Sequence, residues 1–214
     1  MSAGAEPAGT VGTAGAVAVA LVCLPQGLFV LAVVLLTFLT LSDLLDGTMA
    51  RMAGVKKSMG DYAVGEVIDH VDGVTVEDAE HMLATRLWQN TAKVHFNQHV
   101  EREGRFGKRI VYGGHVISIA RAMTFNGLGN AWFVAAINAG RHVAPCFAGD
   151  TVYAWSEILD KAELPQAPGW GALRLRTIAT KDQGCEAFPD KLPDGNFLPS
   201  VILELDHWVV VPAI

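Results

Sequence analysis

Gly113-Gly-His-Val-Ile-Ser-Ile-Ala-Arg-Ala-Met-Thr-Phe125 decides the fold. From Gly114 to about Phe125 the spacing predicts a helix in which Val116, Ile117, Ile119, Ala120 and Met123 leave little polar surface, as a helix enclosed by other structure requires. Strand-like runs separated by turn residues follow it: 132–137, 142–146, 151–159, 172–179 and 201–211. Upstream, Thr75-Val-Glu-Asp-Ala-Glu80 reads as a capped helix start running to about Trp88, with acidic groups at the positive end of its dipole. A helix followed by consecutive strands points to α+β, with four or five antiparallel strands wrapped around one apolar helix.

The rest of the chain is composite. Of 214 residues 51% are hydrophobic and only 18% are charged, which excludes a disordered chain. The excess apolarity lies in residues 7–42, which contain no Asp, Glu, Lys or Arg. The net charge of −6 arises wholly after residue 60, and an acidic body argues against a nucleic-acid partner. Cys23, Cys146 and Cys185 are odd in number and far apart, which suits neither a disulfide framework nor a zinc site and fits a reducing cytoplasm.

Residues 1–10, rich in Ala and Gly, are expected to be unstructured. Two apolar runs, 11–24 and 27–41, flank a turn signal at Pro25-Gln26-Gly27. Each is shorter than the roughly 20 residues of a bilayer crossing, so an apolar helical hairpin inserted in a membrane, or one kinked span with an interfacial piece, is expected over 11–54, followed by a linker at 55–60. Arg51, Lys56 and Lys57 at its exit would place the downstream domain, 61–214, in the cytoplasm; an untethered cytoplasmic protein is the alternative.

Gln89-Asn-Thr-Ala-Lys-Val-His95-Phe-Asn97 and Gly104-Arg-Phe-Gly-Lys-Arg-Ile-Val-Tyr-Gly113-Gly-His-Val-Ile-Ser118 resemble the signature of the MaoC-like hot-dog hydratases. Ala79 to Asn90, Ile137 to Pro145 and Gly149 to Ser156 extend the likeness, which runs from Asp61 to Pro212 and is nearest to the C-terminal half of the mesaconyl-CoA hydratase (β-methylmalyl-CoA dehydratase) group. The resemblance implies a hot-dog domain that hydrates an enoyl-CoA reversibly, without metal or redox cofactor.

Such a reaction needs a base for water, an acid for the α-carbon and donors for the thioester enolate oxygen. The family's histidine falls on His95, its oxyanion glycine on Gly113 and its aspartate on Asn90, a departure because a carboxamide cannot exchange a proton as a carboxylate does. Gly114, Arg141 and His142 are carried as substrate-binding candidates, a positive-φ loop at Gly113-Gly114 and a polar strand end at Arg141-His142 being the plainer readings. Full-length relatives carry two hot-dog halves, so a homodimer or another hot-dog domain is the expected partner.

Asp43-Leu-Leu-Asp46-Gly47-Thr-Met-Ala-Arg51 resembles the opening of the CDP-alcohol phosphatidyltransferase motif. The later aspartates are missing, since positions 64 and 68 hold Val64 and Ile68. These residues are therefore read as degenerate, with no metal site and no lipid transfer expected. Competing readings are a hot-dog thioesterase and a non-catalytic, membrane-tethered acyl-CoA-binding half.

Overall fold

The computed structural model describes residues 23, 25–37 and 58–213. The chain divides into two compact units, Met1–Gly54 and Val55–Ile214. In the first, residues 25–27 form the expected turn, with Gly27 at φ 71°, and residues 29–37 are helical. The remainder of the expected hairpin, with Asp43, Asp46, Gly47 and Arg51, lies outside the described residues. Among those described, no helix is long and apolar enough to cross a membrane.

The second unit is a sheet folded around a helix. Its strands are β1 (Val67–Asp69), β2 (Val74–Thr75), β3 (Val134–His142), β4 (Thr151–Glu163), β5 (Trp170–Lys181) and β6 (Val201–Pro212). Its helices are α1 (Asp78–Leu87), α2 (Gln98–Glu101), α3 (Gly113–Met123) and the kinked turn α4 (Phe125–Leu128). All pairings are antiparallel in the order β1-β4-β5-β6-β3, and β2 also pairs with β4.

Period-two alternation supplies the concave face of the sheet. Ala154 and Ile158 of β4, Leu173, Leu175 and Ala179 of β5, and Leu203, Leu205 and Val209 of β6 are all buried. Val116, Ile119, Ala120 and Met123 of α3 pack into one end of this core. Tyr62 and Leu128 close the other end over Ile158, Leu173 and Val211. Each buried aliphatic side chain contributes roughly 1.5–3 kcal/mol before entropy is counted. At α4 the chain can turn back towards β3 only because position 127 is glycine: φ is 97°, and a β-carbon there would fall 2.5 Å from Cγ2 of Ile68.

Between the two apolar ends runs a polar belt. His70 donates from Nδ1 to the Asn126 carbonyl at 2.7 Å, accepts from Ser156 at 2.8 Å, and Ser156 meets Thr177 at 2.8 Å. His207 continues it on β6, fully buried. The opposite face of the sheet carries ion pairs, Arg174 with Asp206 at 2.6 Å and Arg176 with Asp190 at 2.8 Å and Glu204 at 2.7 Å.

Three elements differ from the sequence reading. Thr75 belongs to β2 and does not cap α1; Glu77 precedes the helix, because buried Val76 prolongs the extended backbone. The strand expected at 132–137 runs on to His142 as β3, and 143–146, expected as a strand, is irregular. Asn138 and Gly140 carry turn preferences, but β3 absorbs Asn138 at a register shift against β6, where it donates to Asp206, and pairs Gly140 with Leu205 in regular register. The first two strands, five residues in all, were too short to show a period.

Candidate active site

α3 begins where the chain arrives from a segment running against residues 142–147. The Val111 N–H donates to the Cys146 carbonyl at 2.8 Å. Neither Gly113 nor Gly114 has a positive φ, so the loop reading of this pair gives way to close approach. A β-carbon on Gly113 would lie 2.5 Å from Nε2 of His142, and one on Gly114 would lie 2.6 Å from the Tyr112 ring. As the first residues of the helix, both present amide groups that no intrahelical carbonyl can reach. Neither N–H has an acceptor among the described residues. Two bare donors at the positive end of a helix dipole favour an oxygen carrying negative charge.

His95 ends a one-turn 3-10 helix, Lys93–His95. Its Nδ1 lies 3.1 Å from the Ile110 carbonyl, and the Ile110 N–H donates to the Val94 carbonyl at 3.1 Å. A carbonyl only accepts, so Nδ1 carries a proton and Nε2 is the nitrogen left to exchange one. The Tyr112 ring stands edge-on to the imidazole, centroids 5.7 Å apart.

These groups share one cavity of about 360 Å³, lined by His95, Tyr112, Gly113, Gly114 and His142 among polar and small residues, and by Ile110, Val116 and Ile202 among apolar ones. His142 is held below the ordinary imidazole range by partial burial and by the neighbouring His95. Cys146 also lines the wall, and burial followed by the charge of Asp150 pushes its thiol up to about 12, so it stays protonated.

Of the six expected site residues, four converge here: His95, Gly113, Gly114 and His142. Arg141 does not. Adjacent strand residues face opposite ways, and Arg141 lies over the Phe197 ring, beside a second cavity on the ion-paired face of the sheet. Asn90 does not line the cavity either; its Oδ1 accepts the Ala92 N–H at 2.8 Å and shapes the turn leading to His95.

His81 was not singled out from sequence. It is 1% exposed, and its Nδ1 accepts from the Tyr112 N–H at 3.4 Å, directly before the glycine pair. Burial, then the charge of Arg109, lowers its pKa and keeps that nitrogen bare. His81 and Thr85, one turn apart, form the buried stripe of α1, which nothing in the local sequence marks.

Residues 61–168 match the MaoC-like domain. The chain belongs to that family. Among curated MaoC-like relatives, the β-methylmalyl-CoA dehydratase of Chloroflexus aurantiacus is 63% identical over 160 residues, and the mesaconyl-CoA hydratase of Cereibacter sphaeroides 62% over 161. Each alignment takes in 75% of this chain and 46% of the relative, so this MaoC-like chain spans about half the length of the curated relatives it matches. A solved MaoC-domain dehydratase structure from C. aurantiacus superposes with a TM-score of 0.72 at 62% identity, covering 76% of this chain and 46% of that one. At 18% identity, where fold alone is shared, a MaoC-like dehydratase from Rhodospirillum rubrum gives a TM-score of 0.58 over 74% of this chain and 99% of its own. A Mycobacterium tuberculosis protein described as a double hot-dog gives 0.56 at 18% identity, with 76% of this chain covering 46% of it. The hot-dog architecture of the MaoC-like unit is thereby established.

Proposed function

We propose that this chain is one hot-dog half of an enoyl-CoA hydratase/dehydratase, a hydro-lyase acting on a branched C5 dicarboxylic thioester such as mesaconyl-CoA. The observation that carries the reading is the pairing of an acid/base group and an oxyanion site in one cavity: His95, its Nδ1 turned to the Ile110 carbonyl and its Nε2 left to exchange a proton, and the unengaged amides of Gly113 and Gly114. A thioester carbonyl docked on the glycine amides is polarised as its oxygen gains charge. Water gives a proton to Nε2 of His95 while its oxygen bonds to the β-carbon, and His95 then returns that proton to the α-carbon to complete the addition. Both hydrogens and the oxygen of water end on the product, and dehydration reverses the steps.

With Asn90 away from the cavity, His95 is the acid/base group of this half. A second hot-dog half, from a second copy or another hot-dog domain, pairs with this one along β3. That strand is the sheet edge opposite β1, and Ile137 on it is 60% exposed. The uncharged run 7–42 favours attachment of the N-terminal unit to a membrane with the hot-dog unit on the cytoplasmic side; recovery of the whole chain in the supernatant after ultracentrifugation would exclude it.

Enoyl-thioester absorbance with mesaconyl-CoA, using the full chain and His95→Ala, tests the hydratase reading. Loss of one general base costs about 10²–10⁴-fold in rate. A wild type that binds the thioester yet turns over no faster than His95→Ala would instead be a non-catalytic acyl-CoA-binding half, and CoA release from a saturated acyl-CoA would mark a thioesterase.

A further inference from the structure

Beyond the acyl cavity, two neighbouring segments gather cations around aromatic rings. Lys108 places Nζ 4.2 Å from the centroid of Phe147, and Lys181 places its own at 5.3 Å from the same ring. Phe106 stands edge-on to Phe147, centroids 5.6 Å apart, and Arg105 lies 5.1 Å from the Phe106 centroid. Two ammonium groups on one ring repel each other, and only one is answered: Lys181 has Asp150 at 3.5 Å and the Pro145 carbonyl at 2.7 Å. Among the described residues Lys108 and Arg105 are in no ion pair, and both are exposed. In a chain of net charge −6 this is a local reversal of sign that favours a polyanion.

Its place relative to the cavity gives the anion a shape. Gly113 sits against His142, the Val111 N–H donates to the Cys146 carbonyl, and Lys108 lies over Phe147, so the two segments run in opposite directions side by side. The cavity follows them, its wall including Ile110, Pro145 and Cys146. Gly113 lies five positions on from Lys108, at most about 18 Å of chain. That span is of the order of a pantetheine arm. A ligand with its thioester at Gly113 thus has its phosphates near Lys108 and its purine within reach of two phenyl rings.

We infer that Arg105, Lys108 and Lys181, gathered on the Phe106–Phe147 pair, form the subsite for the phosphorylated nucleotide end of the CoA thioester. The inference rests on the proposed acyl-CoA reading and adds what discriminates CoA from a bare pantetheine thioester.

The test uses the full chain, the double variant Arg105→Gln/Lys108→Gln, and two substrates with one acyl group, mesaconyl-CoA and the mesaconyl-pantetheine thioester. The variant raises KM for the CoA thioester about tenfold, leaves kcat within twofold, and moves KM for the pantetheine thioester by less than twofold. Equal effects on both thioesters, or none on either, overturn the subsite. Calorimetric titration with free CoA separates this outcome from failure of the hydratase reading. If the wild type hydrates neither thioester, CoA bound at least tenfold more weakly by the variant still supports the subsite, while no CoA binding by the wild type, or equal binding by both, overturns it. Circular dichroism of the variant, unchanged because both side chains are exposed, guards against a folding defect.

Discussion

The imidazole of His142 lies against the α-carbon of Gly113, leaving no room for a methyl group: a β-carbon there would fall 2.5 Å from Nε2 and 2.9 Å from Cε1. Glycine at this position therefore sets the distance between the β3 terminus and the start of α3. Gly113→Ala pushes the ring aside or tips the first turn of the helix, and the amide donors move with it. A displacement near 1 Å at such a site costs about 10²-fold in kcat/KM. If the clash is the cause, Gly113→Ala/His142→Ala recovers part of the loss, as a double-mutant cycle would show. Strictly additive losses would count against it.

His81 supports the same turn from behind. Its Nδ1 accepts the Tyr112 N–H, and Arg109, paired with Asp78 at 2.6 Å, helps keep the ring neutral. His81→Leu leaves the amide without its acceptor in a buried setting, which costs about 1–3 kcal/mol. Urea unfolding should register that loss. His81→Gln, which can offer a side-chain oxygen, should recover part of it, whereas equal damage from the two substitutions would assign the cost to packing alone.

How far the sequence could be read depended on period and alternation. The apolar face of α3 and the long strands β4, β5 and β6 showed in their patterns, since each buries several residues at its own repeat. β3 was divided because Asn138 and Gly140 carry local turn preferences that pairing with β6 overrides. In the site, the resemblance led to His95, Gly113 and Gly114. Alternation on β3 separates Arg141 from His142, a distinction unavailable while 142–146 was read as a strand of its own. His81 was hidden for another reason. A histidine within a helix carries no mark of the amide it faces, and the partner, Tyr112, is 31 residues away.

The polar belt makes stability depend on pH. His207 is fully buried, neither ring nitrogen makes a hydrogen bond of good geometry, and desolvation followed by the charge of Arg121 lowers its pKa to about 4. His70, engaged with Asn126 and Ser156, is lowered too, burial outweighing the carbonyl bond and the Asp69 charge, with Arg121 adding to the depression. Groups with depressed folded-state values favour the folded state fully above the unfolded imidazole range near 6.5 and progressively less as pH falls. For His207 the loss accumulates between about pH 6.5 and 4 and amounts to roughly 3 kcal/mol. Unfolding free energies at pH 7.5 and 4.5 should differ more in the wild type than in His207→Leu. An identical difference in both proteins would remove His207 from the account.

The exposed edge of the sheet carries the prediction about assembly. All of β3 after Val134 is exposed, Ile137 at 60% among them, and Trp132 and Phe133 beside it are 68% and 46% exposed. An apolar strand left at a sheet edge is a surface for another chain unless charge blocks it. If a second hot-dog half covers β3, Ile137→Lys places an ammonium group in that contact with little effect on the fold of its own protomer, because the residue is already 60% exposed there. Size-exclusion chromatography with light scattering should then move from twice the chain mass to the single mass, with the far-ultraviolet spectrum unchanged. Hydratase activity should fall with the assembled fraction and return as protein concentration is raised. An unchanged mass would direct the search for the second half's contact to another surface.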